Sequence, residues 1–249
     1  VLAFHTLGWW RSRKLSNVTL VDIQWALGFS LVALLGLLWG QGELERRLLV
    51  ALLVWIWSGR LAAHLARRSR GRPEDPRYQK MRTRHGPAFV WKSLYLVFWL
   101  QALLLLVVAA PLLLAQGVAA GHAIGVWEGV GTLLWSLGFT IEAVADRQLQ
   151  RFRNDPTRKG EVLDSGLWRY SRHPNYFGEA LLWWGLGLIA VAVPGGYWGL
   201  VGPLLLTFLL LRVSGVTLLE AELISRKPGY REYVARTSSF LPWPPRGSG

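Results

Sequence analysis

A chain of 249 residues with 52% hydrophobic and only 17% charged residues falls short of the ~25% charged complement of soluble domains, which argues against a soluble fold and points to lipid. The net charge of +13 would suggest nucleic acid in a soluble protein. Beside uncharged runs such as Leu103–Ala115 and Val201–Leu211 it fits basic loops lying on anionic headgroups, with no nucleic-acid partner. The absence of cysteine excludes disulfides, thiolate catalysis and Cys-ligated metal, and the five histidines show no pairing typical of a metal site.

In chain order, Val1–Trp10 is too short to span a bilayer and reads as the tail of a helix. Spanning segments of roughly 20 mainly apolar residues are expected near 18–39, 47–66, 93–115, 124–146, 176–193 and 197–219. The fold class is therefore an all-α polytopic membrane bundle of six helices, or seven with the N-terminal one. Gly185, Gly187 and Gly195-Gly196 suit close helix packing or a tight turn. The final Arg246-Gly247-Ser248-Gly249 reads as a cloning remnant. Lys and Arg alternate between loops: with six crossings, 24 fall on one side and two on the other. The positive-inside rule makes the rich side cytoplasmic, the bacterial inner membrane being the expected location.

Charges inside apolar helices are costly and mark function. Asp22, Arg60, Glu142, Asp146, Glu179 and Arg212 are such residues, although those near helix ends could also snorkel to the interface. Glu142, Asp146 and Arg153 share a helical face. The densest pattern runs from Gly166 to Glu179. Pro174 favours a helix start, which sets Arg172 and His173 just before an N-terminus attractive to phosphate. Arg169, Arg172 and Arg153 would add charge-assisted hydrogen bonds, Asn175 an amide, and Tyr170 and Tyr176 a ring or an O–H. No dinucleotide-binding glycine motif, Walker motif, zinc-protease motif or nucleophile elbow occurs, so a cofactor would bind among the helices.

The run Ser171-Arg172-His173-Pro174-Asn175-Tyr176-Phe177-Gly178-Glu179 resembles the signature of the steroid 5-alpha-reductase family in its bacterial branch. Val21-Asp22-Ile23-Gln24-Trp25, Ser58-Gly59-Arg60-Leu61, Glu74-Asp75-Pro76-Arg77-Tyr78 and Gly229-Tyr230-Arg231-Glu232-Tyr233 are similar to it as well, so the resemblance covers nearly the whole chain. It implies one membrane-embedded domain over 1–245, with a substrate-side half at about 1–116 and an NADPH-binding half at about 117–245. The resemblance places the cofactor residues at Asp146, Arg153, Asn175, Tyr176, Glu179 and Arg212, with Glu142 a loose match; Arg169, Arg172 and His173 of the loop before Pro174, and Tyr230, are expected to join them. The steroid enzymes hold the substrate carbonyl with an early-helix Gln-Glu pair and a Tyr. Here Asp22 is the nearest acid and Trp57 takes the Tyr position, which departs from a 3-oxo-steroid site.

The expected activity is hydride transfer from NADPH to the activated C=C bond of an apolar enone entering from lipid. Asp22 acts as the acid, tuned by Arg60 or His64. An S-adenosylmethionine-dependent lipid methyltransferase, which shares the Arg-His-Pro core, and a non-enzymatic lipid-binding subunit are the alternatives.

Overall fold

The computed structural model of the chain describes residues 1–122, 124–213, 220, 223–224 and 227–246. All regular structure among them is helical. Among the described residues four stretches are long and apolar enough to cross a membrane: Leu20–Trp39, Leu44–Ser69, Pro76–Val108 and Gly196–Val213. The first two and the last match expected segments, and the third begins well before the expected residue 93. The segments expected near 124–146 and 176–193 are helical but less apolar than these four, because Glu128, Glu142, Asp146 and Glu179 interrupt them. Residues 214–219 of the last expected segment, and residues 247–249 of the terminal Arg-Gly-Ser-Gly, lie outside the described residues.

The chain divides into two compact units, the first comprising residues 1–125 and 190–201 and the second 126–189 and 202–249. In the first unit α1 (Leu2–Leu15) ends at Ser16, which adopts the left-handed conformation and closes the helix with hydrogen bonds back to its last turn. α2 (Leu20–Trp39) and α3 (Leu44–Ser69) pack side by side, with Phe29 set between the rings of Trp25 and Trp57. Their connection is pinned by Gln116, whose carbonyl accepts the Gly42 N–H at 3.0 Å while its side-chain amide donates to Ala33 and Arg47 carbonyls. A Cβ on Gly40 would collide with the same Gln116 carbonyl, so this approach requires glycine.

α4 (Pro76–His85) begins with Asp75 as N-cap, its carboxylate accepting the Arg77 N–H at 2.9 Å, and Pro76 in the first turn. α5 (Phe89–Ser93) runs through a π-helical turn, Leu94–Trp99, into α6 (Leu100–Val108). α7 (Ala110–Gly117) starts a new helix around Pro111, which has no N–H to continue the previous one. Residues 190–201 belong with this unit although the sequence sets them in the second half. The 3-10 turn Gly196–Leu200 lies on α7 so closely that a Cβ on Gly199 would stand 3.1 Å from the Pro111 Cα. Gly195, left-handed at φ 69°, makes the tight turn expected there.

The second unit is organised by α8 (Val126–Asn154) and α9 (Pro174–Val191), which run antiparallel. Gly131 and Gly138 on α8 face Gly185 and Gly178 on α9. A Cβ on Gly178 would lie 2.5 Å from the Glu142 amide nitrogen, and one on Gly185 would lie 2.5 Å from the Gly131 carbonyl. Two glycine pairs, each seven residues apart, thus bring the backbones together and bury the Glu142 side of α8. α10 (Val201–Phe208) continues as a π-helical turn, Leu209–Val213, and is tied to α9 by the Trp184 indole N–H donating to Thr207 at 3.3 Å. The short α11 (Tyr230–Arg236) is packed through Tyr233, whose hydroxyl donates to the Trp168 carbonyl at 2.5 Å.

Candidate functional site

In the first unit Asp22 stands in the first turn of α2. Its carboxylate accepts the Tyr78 hydroxyl at 2.7 Å and the Arg77 guanidinium at 3.0 Å. The Tyr78 oxygen in turn receives a longer contact, 3.4 Å, from the Gln101 amide. Tyr78 is buried while Arg77 is half exposed, so the phenol is the desolvated partner.

The segment carrying Tyr78 is held against the α1–α2 turn. The Val18 N–H donates to Glu74 at 2.8 Å, and the Asp75 N–H donates to the Thr19 hydroxyl at 2.9 Å. Burial pushes the Glu74 carboxyl up, but hydrogen bonds from Arg82 and Val18 outweigh it and leave the group below the ordinary carboxylate range. Arg60 and His64 lie half-buried on α3, one turn apart. The sequence selected Asp22 but not Tyr78, Arg77 or Gln101. The signal for Tyr78 was Asp75-Pro76, a helix start that sets a tyrosine in the first turn.

In the second unit α9 begins at Pro174, as expected. Arg172 does not face outward from this start. Its Nε and Nη2 donate to the two oxygens of Glu220 at 2.7 and 3.0 Å, and its Nη1 donates to the carbonyls of Val234, at 3.0 Å, and Thr237. Its backbone N–H donates to the Ser238 carbonyl at 2.8 Å. The guanidinium expected to hold a phosphate is thus committed to fixing the C-terminal segment. A phosphate could recruit it only by releasing a buried partner.

His173 lies 3.1 Å from Glu220 through Nε2 and stacks on Tyr176 with the rings 3° from parallel. Burial acts to raise the Glu220 carboxyl, but hydrogen bonds from His173 and Arg172 prevail and hold it at about 2. Tyr230, buried nearby, is pushed up to about 12 by burial and by the negative charge of Glu220. Glu220 escaped the sequence reading. It is the first acid after the apolar run that ends at Leu211, and only the fold shows that it returns to the Arg-His pair.

Beside this cluster the Asn175 amide reaches Asp146 across α8 and α9 at 3.3 Å. Glu142 and Asp146 are both buried, one turn apart on α8, whereas Arg153 on the same face has reached the exposed end. Glu179 and Tyr176 are half-buried on α9. Arg169 and Arg212 are exposed. The structure brings Asp146, Arg172, His173, Asn175, Tyr176 and Tyr230 into one polar zone around the start of α9. No group of three metal-ligating side chains occurs among the described residues.

These features define an all-helical protein with several apolar helices suited to a membrane. The chain belongs to the family described as protein of unknown function (DUF1295), whose model matches residues 8–237. This family is steroid 5-alpha-reductase-like in general. A relative, Uncharacterized protein C594.04c of Schizosaccharomyces pombe, is 28% identical over 270 residues, covering 94% of this chain and 75% of the relative. No solved structure matches the chain.

Proposed function

We propose that the protein is an NADPH-dependent membrane reductase acting on an activated C=C bond of an apolar enone. The observation that carries this reading is the buried Tyr78 hydroxyl held on the Asp22 carboxylate. A phenol backed by a carboxyl group is a proton donor to a developing enolate oxygen. Protonation of Asp22 reverses this hydrogen bond, so that the carboxyl donates to the phenol oxygen; Tyr78 then gives its own proton to the enolate oxygen and takes a replacement from Asp22. The carboxylate left behind recovers a proton from water. Gln101 steadies the phenol oxygen, and Arg60 and His64 tune the surroundings of the acid.

The residues of the second unit suit a dinucleotide. Asn175 and Asp146 offer an amide and a carboxylate for ribose hydroxyls, Tyr176 a ring, and Arg153, Arg169 and Arg212 cations for phosphate. Glu142, Glu179 and Tyr230 complete the polar wall, and Arg172 with His173 positions it through Glu220. When bound, NADPH would supply the hydride. The reading includes six or seven crossings, with α8 and α9 spanning as a glycine-mated pair that hides its acids, and the basic loops and cofactor site on the cytoplasmic side.

A second reading, an S-adenosylmethionine-dependent lipid methyltransferase, is favoured by the acidic character of the buried α8 face, Glu142 and Asp146, which suits a cationic ligand.

One titration separates the two readings. Purified protein is followed by thermal unfolding with NADPH, NADH and S-adenosylmethionine, where a ligand at about 100 times its Kd adds ~2.7 kcal/mol. Stabilisation by NADPH in preference to NADH supports the reductase. Stabilisation by S-adenosylmethionine alone replaces it with the methyltransferase.

A further inference from the structure

At the charged end of α1 the first unit carries an open-mouthed cavity of about 390 Å³, lined by Trp10, Ser12, Arg13, Lys14, Arg82 and Ser93 among others. No acid lines it. Arg82 is neutralised from behind by Glu74, with which it forms a two-pronged ion pair at 2.8 and 3.0 Å. Arg13 and Lys14 have no carboxylate partner among the described residues. The Arg13 guanidinium lies 5.0 Å from the centre of the Trp9 ring and 4.4 Å from that of Trp91, and the Lys14 ammonium lies 3.7 Å from that of Trp10. Aromatic faces orient a cation without consuming its charge as a carboxylate would. The cavity therefore carries two uncompensated positive charges, while the hydroxyls of Ser12 and Ser93 beneath them already donate to the Trp9 and Val90 carbonyls.

Trp10 and Trp91 are exposed beside it, and tryptophan favours the depth of the lipid headgroups. Leu7, three residues before Trp10 and so on the same helical face, is also exposed. An apolar strip thus leads away from the cationic cavity. A headgroup in the cavity with acyl chains along that strip uses both features, whereas a free anion uses only the first.

We propose that this cavity binds the phosphate-bearing headgroup of an anionic phospholipid, with Arg13 and Lys14 as its hydrogen-bond donors. The site is independent of the reductase reading, although its wall residues Val18 and Arg82 also hydrogen-bond Glu74 in the segment that carries Tyr78.

The experiment titrates the full chain, stripped of lipid in neutral detergent, with dioctanoyl phosphatidylglycerol, dioctanoyl phosphatidylcholine and inorganic phosphate. Bound ligand is counted by native mass spectrometry. Saturable binding of one phosphatidylglycerol, at least about tenfold tighter than either competitor, is expected. Arg13→Gln/Lys14→Gln should lose about tenfold or more of that affinity. Lys80→Gln/Arg84→Gln, which removes the same charge from the exposed face of α4, should bind as the parent does. Equal weakening in both double variants means diffuse surface charge and overturns the site. Phosphate binding as tight as the lipid overturns the lipid assignment, and phosphatidylcholine binding as tight overturns the role of the cations. If the Arg13→Gln/Lys14→Gln variant does not fold, the ligand preference of the parent protein alone decides.

Discussion

Arg172 and Glu220, 48 residues apart, are joined by two parallel charge-assisted hydrogen bonds, and Arg172 also caps the Val234 and Thr237 carbonyls. Removing one partner of a buried pair strands the other charge, so Arg172→Ala should destabilise the protein by about 3–5 kcal/mol. The exposed pair Arg236–Asp164 provides the contrast. Arg236→Ala should cost about 0–1 kcal/mol. Thermal unfolding of the two variants in the same detergent checks the difference, and equal losses would remove the structural role assigned to Arg172.

The same carboxylate sets an acid limit. Glu220 is held at about 2 against an ordinary 4.5, so it binds fewer protons in the folded protein than in the unfolded one. Its contribution is complete above about 4.5 and is lost as the pH falls towards 2. Unfolding midpoints measured from pH 6 downward should therefore decline through this window in the parent protein. Glu220→Gln should start lower and lose less over the same range.

The contact of α8 with α9 predicts opposite outcomes at two glycines. A methyl group at Gly178 would meet the Glu142 amide nitrogen at 2.5 Å and the Gly138 carbonyl at 2.6 Å, both backbone. Gly178→Ala should cost about 1–3 kcal/mol by overpacking. Gly129, exposed on α8 with nothing within 4 Å of its Cβ position, should tolerate alanine and gain about 0.5–1 kcal/mol from helix propensity. Matched unfolding curves for the two variants test this.

If Tyr78 and Asp22 form the proton-donating pair, Tyr78→Phe keeps the ring and removes only the acid hydrogen. Single-turnover NADPH oxidation with a panel of enone lipids should slow by about 100-fold or more. Asp22→Asn should slow it as well. It should cost little stability through the Arg77 pair, because Arg77 is half exposed. NADPH affinity should be unchanged in both variants. Parent-like turnover would sink the assignment, and lost affinity would move the pair into the cofactor site.

The sequence by itself determined the helical class, the apolar stretches Leu20–Trp39 and Leu44–Ser69, the start of α9 at Pro174, and the shared face of Glu142 and Asp146. These are local properties: hydropathy over one helix length, proline's fixed φ, and the 3.6-residue period. Only the tertiary structure decided the partners. Glu220 reaches Arg172 and His173 across 48 and 47 residues, and Tyr78 reaches Asp22 across 56. It also turned Arg172 from an expected ligand donor into a fastener of the C-terminal segment. A charged side chain's composition and spacing say that it needs a partner in low dielectric. Which partner it finds depends on chain closure over tens of residues, a non-local choice that no periodicity encodes.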